Sequence, residues 1–289
     1  MAARTDLPRG QHLVAATQVA TGCIEARLFE VGFGALPAFL GGHIPGAAYI
    51  DTAELECPPL WNKVPDAALV SLLLRHGVRH DTPVLLYGRN NLAAARAAHL
   101  MLYLGVADVR LLDGGFNAWL ALGLPGESGA GAGHAGAVDF GIAVPAHPAL
   151  LLDMAQVRQL QEKDAAALVS VRTWNEFIGR TSGYPYIAAR GEIAGALWGR
   201  TFVDDDVNSM SEFHGADGTM AAPAAVLRVW HAAGVHAERH TVFYCGTGWR
   251  ASLAFFYAWV MGWERIAVYD GGWYEWSRDP ANPVVCRAG

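Results

Sequence analysis

The residues with the clearest capacity for chemistry form one short run, Cys245-Gly246-Thr247-Gly248-Trp249-Arg250-Ala251-Ser252. A cysteine is nucleophilic as its thiolate, and a nearby cation or a helix N-terminus favours that form. Two glycines allow the backbone to curl until successive N–H groups point inward, which makes a nest for an anion. A helix starting beyond them would aim its own free N–H groups at the same point. Arg250 adds a fixed positive charge. The run therefore suits a thiolate that attacks an electrophilic, anionic substrate, with Cys245 as the catalytic residue and Gly246, Thr247, Gly248, Trp249 and Arg250 as the substrate-binding loop.

Such a loop works only if a rigid element delivers it. Thr241 to Tyr244 is a short apolar run of buried-strand type, and Ala251 to Met261 reads as a helix. In open α/β sheets ligands bind beyond the carboxyl ends of the strands, which is where Cys245 falls. The same arrangement occurs earlier in the chain. VLLYGRNNLAAARAAHLMLYLG followed by LLDGGFNAW parallels TVFYCGTGWRASLAFFYAWVMG followed by VYDGGWYEW. Tyr87 and Asp113 are 26 positions apart, as are Tyr244 and Asp270. Upstream, Gly42-His-Ile-Pro-Gly-Ala47 parallels Gly191-Glu-Ile-Ala-Gly-Ala196, at an offset of 149 rather than 157, so about eight extra residues belong to the second copy, in the polar stretch Asp204 to Met220. The first copy has Gly88 in the place of Cys245, in Gly88-Arg-Asn-Asn-Leu-Ala93. One copy reads as catalytic and the other as a support.

In each copy the order is strand, helix, strand: Val84 to Tyr87, Leu92 to Leu104 and Val109 to Leu112 in the first, with Ile266 to Tyr269 as the last strand of the second. This rhythm predicts an α/β fold of two tandem domains, each a mostly parallel sheet flanked by helices. Asp-Gly-Gly then supplies a tight turn before Trp119 or Trp276. The boundaries fall at 1–127 for the cysteine-less domain, 128–149 for a Gly/Ala/Pro-rich linker and 150–289 for the catalytic domain. The linker contains Gly131-Ala-Gly133-His-Ala-Gly136, but without a preceding strand and a following helix this is no dinucleotide site.

Composition narrows the function classes. The chain has 289 residues, 53% apolar and 17% charged, with a formal net charge of −6. No basic patch is suggested, so nucleic acid and anionic membrane surfaces are not expected partners. The most hydrophobic run, Leu253 to Trp263, is shorter than the roughly 20 residues of a membrane span, and the N-terminus lacks a signal-peptide core. A cytoplasmic protein is expected. The four cysteines, Cys23, Cys57, Cys245 and Cys286, show no C-x-x-C spacing, so no zinc ribbon or disulfide scaffold is implied. Cys23 and Cys57 read as small buried hydrophobes and Cys286 as an incidental thiol.

CGTGWRAS, with YDGGWYEW downstream and GEIAGA upstream, resembles the rhodanese superfamily of thiosulfate and 3-mercaptopyruvate sulfurtransferases, across nearly the whole chain. The resemblance implies an inactive N-terminal domain paired with an active C-terminal one. It implies that Cys245 takes the sulfane sulfur of a small-molecule donor as a persulfide and passes it to a thiophilic acceptor, cyanide, a small thiol or a protein, with neither metal nor organic cofactor. Cysteine phosphatases on a related scaffold use a C-x5-R loop. Here four residues separate Cys245 from Arg250, Ala251 occupies the next position, and Tyr244 stands where those enzymes usually carry His, so a sulfur-sized loop is indicated. Mercaptopyruvate enzymes usually carry CG-[SG]-GVT without a loop cation, so Arg250 favours thiosulfate.

Other residues carry weaker signals. Ser170-Val171-Arg172 departs from the family's Asp-x-Arg, and Arg172 can pair with Glu176 four residues on. Glu176 stands where some relatives have a substrate-binding arginine, which leaves Arg180, Arg190 or a contribution from the first domain as alternative anion contacts. Trp61, in PPLWNK, resembles a segment facing the interdomain cleft, with core packing as the alternative. His76 and His80 read as a helix end, and His231, His236 and His240 as surface residues. Asp204-Asp205-Asp206 lacks the ligand spacing of a calcium loop and reads as a solvated insertion.

Overall fold

Short, apolar, β-branched runs pair into two parallel sheets. A computed structural model describes residues 4–22, 24–200 and 205–288; Cys23 and Asp204 lie outside them. In the first sheet, Leu13–Val14, Val109–Leu112, Val84–Tyr87, Arg27–Gly32 and Ala48–Asp51 lie side by side in that order, every neighbour parallel. In the second, Leu151–Leu152, Ile266–Tyr269, Thr241–Tyr244, Ala167–Ser170 and Leu197–Trp198 repeat the order. The four strands expected from the repeat occur at the expected residues. Val84–Tyr87 and Thr241–Tyr244 are central and buried throughout, as befits strands covered on both faces. Their carboxyl ends carry Gly88 and Cys245.

The helices begin earlier than the apolar pattern suggests. Asn91–Leu104 is capped by Asn90, whose side chain accepts from the Leu92 N–H at 3.1 Å. Trp249–Val260 starts two residues before Ala251, because Gly248 at φ +140° turns the chain directly into it. Trp249 and Arg250 thus occupy a first helical turn. These two helices pack against each other and form the centre of the domain interface. Asn91–Leu104 buries every residue after Asn91, and Trp249–Val260 buries nearly all of its own. A helix apolar all round has no solvent face to offer. One continuous apolar core accordingly contains Phe29 and Leu86 of the first sheet together with Leu253, Phe255 and Phe243 of the second domain.

The 128–149 stretch, linker-like in composition, is laid along the first domain: the amides of Ala132, Ala137 and His147 donate to Ala47, Leu74 and Tyr103 at 2.8 to 3.0 Å. Gly131, at φ +72°, allows one such approach, since a Cβ there would stand 2.3 Å from the Ala47 carbonyl oxygen. The insertion is only partly solvated. Asp205 and Asp206 are exposed, but Met210, Phe213 and Met220 are buried, and the Met220 amide donates to Asp113 of the first domain at 2.6 Å. Cys57 corrects another expectation: it is exposed. It belongs to a hairpin of Glu56–Cys57 with Asn62–Lys63, in which alternation turns Glu56 inward and Cys57 outward. Among the described residues, no helix is long and apolar enough to cross a membrane.

Candidate active site

Cys245 follows the last residue of the central strand, and its Sγ accepts from the Gly248 N–H at 3.1 Å. The loop is clamped from below by the Asp-Gly-Gly turn. The Trp273 amide donates to the Cys245 carbonyl at 2.8 Å and the Tyr274 amide to that of Gly246 at 3.0 Å. Gly272, at φ +54°, makes the approach possible, since a Cβ would stand 2.7 Å from the Cys245 carbonyl oxygen. The first domain repeats the clamp: the Phe116 amide meets the Gly88 carbonyl at 3.0 Å, and a Cβ on Gly115 would come within 2.7 Å of it. The contents differ. There the Asn91 side-chain oxygen accepts from the Gly88 N–H at 3.1 Å, so the cysteine-less loop fills its own nest.

Arg250 is buried and already paired. Its Nη1 and Nη2 donate to the two carboxylate oxygens of Glu176 at 2.7 and 3.1 Å, and Nη2 also donates to the Tyr184 hydroxyl at 3.1 Å. Glu176 further holds Arg172 Nε at 3.3 Å, the helix-start pair expected from their spacing. It also caps the helix Trp174–Ile178 through the Thr173 amide at 2.9 Å. Burial pushes the Glu176 carboxyl up, but Arg250, Arg172 and these hydrogen bonds outweigh it and hold the group at about 2. The cation that the sequence offers to a dianionic donor is therefore compensated within the protein. Where the family has Asp, Ser170 donates to Glu192 at 2.7 Å, and Glu192 also receives the Tyr244 hydroxyl at 2.6 Å and Arg172 at 3.3 Å.

The first domain supplies the other wall. Trp249 Nε1 donates to Glu56 at 2.7 Å, and the other Glu56 oxygen receives Arg96 Nε at 2.8 Å. Arg96 also pairs with Asp270, and the Lys63 amide donates to Asp270 at 3.0 Å. Burial disfavours the Arg96 charge, but Asp270 and Glu56 more than offset it and hold the guanidinium above its ordinary range.

Between the domains lies a cleft of about 340 Å³ lined by aromatic rings: Phe33 and Trp61 from the first domain, Tyr184, Tyr186 and Trp249 from the second. Thr247 and Glu56 also line it. Trp61 has φ +61°, a conformation that a bulky residue avoids unless its surroundings impose it. It meets Phe33 edge-on at 5.6 Å. Tyr184 covers the loop, since a Cβ on Gly246 would meet its ring at 2.3 Å. Burial, then the charges of Cys245 and Glu56, push the Tyr186 hydroxyl up to about 12, so it remains a proton donor at neutral pH. Of the residues singled out from sequence, Thr247, Trp249 and Trp61 line the cleft, while Gly246 and Arg250 lie against Tyr184, in the same loop as Cys245 and Gly248. Arg180 is exposed, bonded to Asn175 at 3.4 Å, and outside the cleft lining; Arg190 is exposed as well.

Glu56, Arg96, Tyr184 and Tyr186 were not singled out from sequence. Arg96 left a trace there: it is the one charge in LAAARAAHLMLYL, and the repeat aligns it with Leu253.

Two parallel domains, one with its nest holding a thiol and one with its nest filled by Asn91, define the class. The Rhodanese-like domain description matches residues 19–122 and 153–279, and the chain belongs to that family. It is similar to the thiosulfate sulfurtransferase YnjE of Escherichia coli K12, at 54% identity over 90% of this chain, and it spans 59% of that relative's length. The crystal structure of YnjE superposes with a TM-score of 0.91 at 49% identity, covering 96% of this chain and 69% of that one. An anaerobic ergothioneine biosynthesis enzyme from Chlorobium limicola, solved in complex with its natural substrate trimethyl histidine, superposes with a TM-score of 0.92 at 33% identity, over 98% of this chain and 72% of that one.

Proposed function

We propose that the chain is a sulfurtransferase that carries sulfane sulfur on Cys245, with thiosulfate as donor. The observation that carries this reading is the Cys245 sulfur at the end of the central strand, 3.1 Å from the Gly248 amide, in a loop whose first-domain counterpart is plugged by Asn91. The similarity to a thiosulfate sulfurtransferase supports it. The Cys245 thiolate attacks the outer sulfur of thiosulfate. The S–S bond breaks, sulfite leaves with the electron pair, and Cys245 becomes a persulfide. A nucleophilic acceptor, cyanide or a thiolate on a small molecule or protein, then takes the terminal sulfur and regenerates the thiolate. The Gly248 amide, 3.1 Å from the Cys245 sulfur, is an oriented donor at the atom that carries the charge, where such donors contribute most. Intact-mass measurement after thiosulfate treatment should show one added sulfur atom, absent in Cys245→Ala. An unchanged mass with thiosulfate but a gain with 3-mercaptopyruvate would transfer the donor assignment to that compound.

The lining of the cleft favours a second reading of the acceptor. Five aromatic rings beside a carboxylate suit a quaternary ammonium or a heteroaromatic cation better than an anion. One structural relative is described with trimethyl histidine as substrate. If this chain takes such an acceptor, trimethyl histidine should remove the added sulfur from loaded protein faster than cyanide does; persistence of the adduct would dismiss that acceptor.

A further inference from the structure

The domain without a nucleophile reaches the loop of the other through Glu56, which takes the Trp249 indole, and through Arg96, which holds Glu56 in place. Arg96 is fully buried and is the one charged side chain, beside the polar Asn91 and His99, on a helix of mostly apolar residues. Besides its bonds to Glu56 and Asp270, its guanidinium lies against Gly248: a Cβ there would stand 3.4 Å from Cζ and Nη1 and 3.7 Å from Nε. Nη1 is buried without a hydrogen-bond partner among the described residues. Every group that Arg96 holds acts in turn on the cysteine loop. Gly248 donates to the Cys245 sulfur, Glu56 takes the Trp249 indole, and Asp270 opens the turn whose Trp273 amide binds the Cys245 carbonyl. The bridge exists on one side only. The repeat aligns Arg96 with Leu253 and Asp270 with Asp113, and Asp113 is met instead by Arg4 at 3.4 Å and the Met220 amide. A leucine suffices for packing, as Leu253 shows, and a buried guanidinium is costly unless it is fully paired. Packing therefore does not account for Arg96.

We propose that Arg96 is a positioning residue of the Cys245 site, through which the cysteine-less domain sets the loop. This deepens the persulfide reading and rests on it. Two carboxylates surround the one guanidinium, so the cluster adds no net positive charge for a donor. It acts by fixing Gly248, Trp249 and the 270–273 turn, so that the Gly248 amide stays aimed at the sulfur.

The test uses the full chain with Arg96→Ala, Arg96→Lys and Glu56→Gln. Three quantities are read: the single-turnover rate of sulfur loading from thiosulfate, the thiosulfate concentration at half-maximal rate, and the iodoacetamide alkylation rate of the Cys245 peptide, which needs no donor. A misplacement of about 1 Å can lower a rate about 100-fold, so Arg96→Ala should load and alkylate at least about tenfold more slowly. Its half-saturating thiosulfate should stay within about threefold of the parent, because positioning acts on the rate step rather than on uniform binding. Added guanidinium ion should restore part of the rate in Arg96→Ala and none in the parent. Arg96→Lys should resemble Arg96→Ala, since one ammonium cannot span both carboxylates as the planar fork does. A folded Arg96→Ala with parental loading and alkylation rates overturns the proposal. If Arg96→Ala does not fold, Glu56→Gln decides: it keeps the shape but weakens the hold on Arg96 and Trp249, and parental rates in it overturn the proposal equally. A parent whose Cys245 alkylates but takes sulfur from no donor would strike the persulfide reading alone and leave the alkylation comparison standing.

Discussion

Replacing Glu176 with glutamine should make the protein less stable and, at the same time, a better binder of thiosulfate. Glu176 is 0% exposed and bonds two buried arginines, which lower its carboxyl from an ordinary 4.5 to about 2. A lowering of that size corresponds to about 3 kcal/mol of stability. Because the folded-state value is the lower one, this stability is fully present above about pH 4.5 and is lost as pH falls towards 2. Glu176→Gln should therefore shift the urea midpoint down at pH 7, and its stability should decline less than the parent's between pH 5 and about 3. The same change removes the negative charge facing Arg250 and one of its two Glu176 acceptors. A hydrogen bond to a charged group contributes about 1.5–3 kcal/mol, so half-saturating thiosulfate should fall by about tenfold if the donor reaches the uncompensated guanidinium. Equilibrium urea unfolding across pH, together with sulfur-loading titrations, reads both effects. A variant as stable as the parent at pH 7 would refute the account of the pair. A variant of lower stability whose thiosulfate requirement rises would show that Arg250 serves only to hold the loop.

Further outcomes follow from other residues. Burial raises the Asp113 carboxyl to about 6 against the pull of the Met220 amide and Arg4. Its folded form thus binds a proton more tightly, and stability falls as pH rises from about 4 to about 6. Asp113→Asn should flatten that decline and be more stable than the parent at pH 7, by on the order of 1–3 kcal/mol; a lower urea midpoint at pH 7 would contradict this. Gly272→Ala and Gly115→Ala should each cost at least about 1–2 kcal/mol, from positive φ and the close carbonyls, but only Gly272→Ala should slow sulfur loading followed by mass. Cys57→Ser and Cys286→Ser should leave the loading rate unchanged, and a loss of adduct in either would place the carried sulfur elsewhere.

The architecture was legible because the chain contains its own comparison. Two runs aligned without a gap over 26 positions locate four strands, two helices and two glycine turns at once, and the difference between Gly88 and Cys245 points to the reactive residue. The site was legible only along the chain. Gly246 to Arg250 could be read from their order, but Arg250's partner, Glu176, lies 74 residues away, and Trp249's partner, Glu56, lies 193 away across a domain boundary. The first pair follows from how the elements of one domain pack and the second from the docking of two domains, and periodicity encodes neither. Tyr184 and Tyr186 lie in an irregular segment with no apolar period to mark them. Cys57 was misread because a two-residue strand is too short to show its alternation.

The helix pair Asn91–Leu104 and Trp249–Val260 bears on how this protein can be dissected. Each helix is the hydrophobic floor of the other's domain, and neither has a wettable face to present when the other is taken away. Cutting the chain near residue 128 or 150 would not release two modules to be assayed in isolation. It would produce two adhesive fragments, and silence from the cysteine-bearing fragment would report aggregation before it reported anything about catalysis.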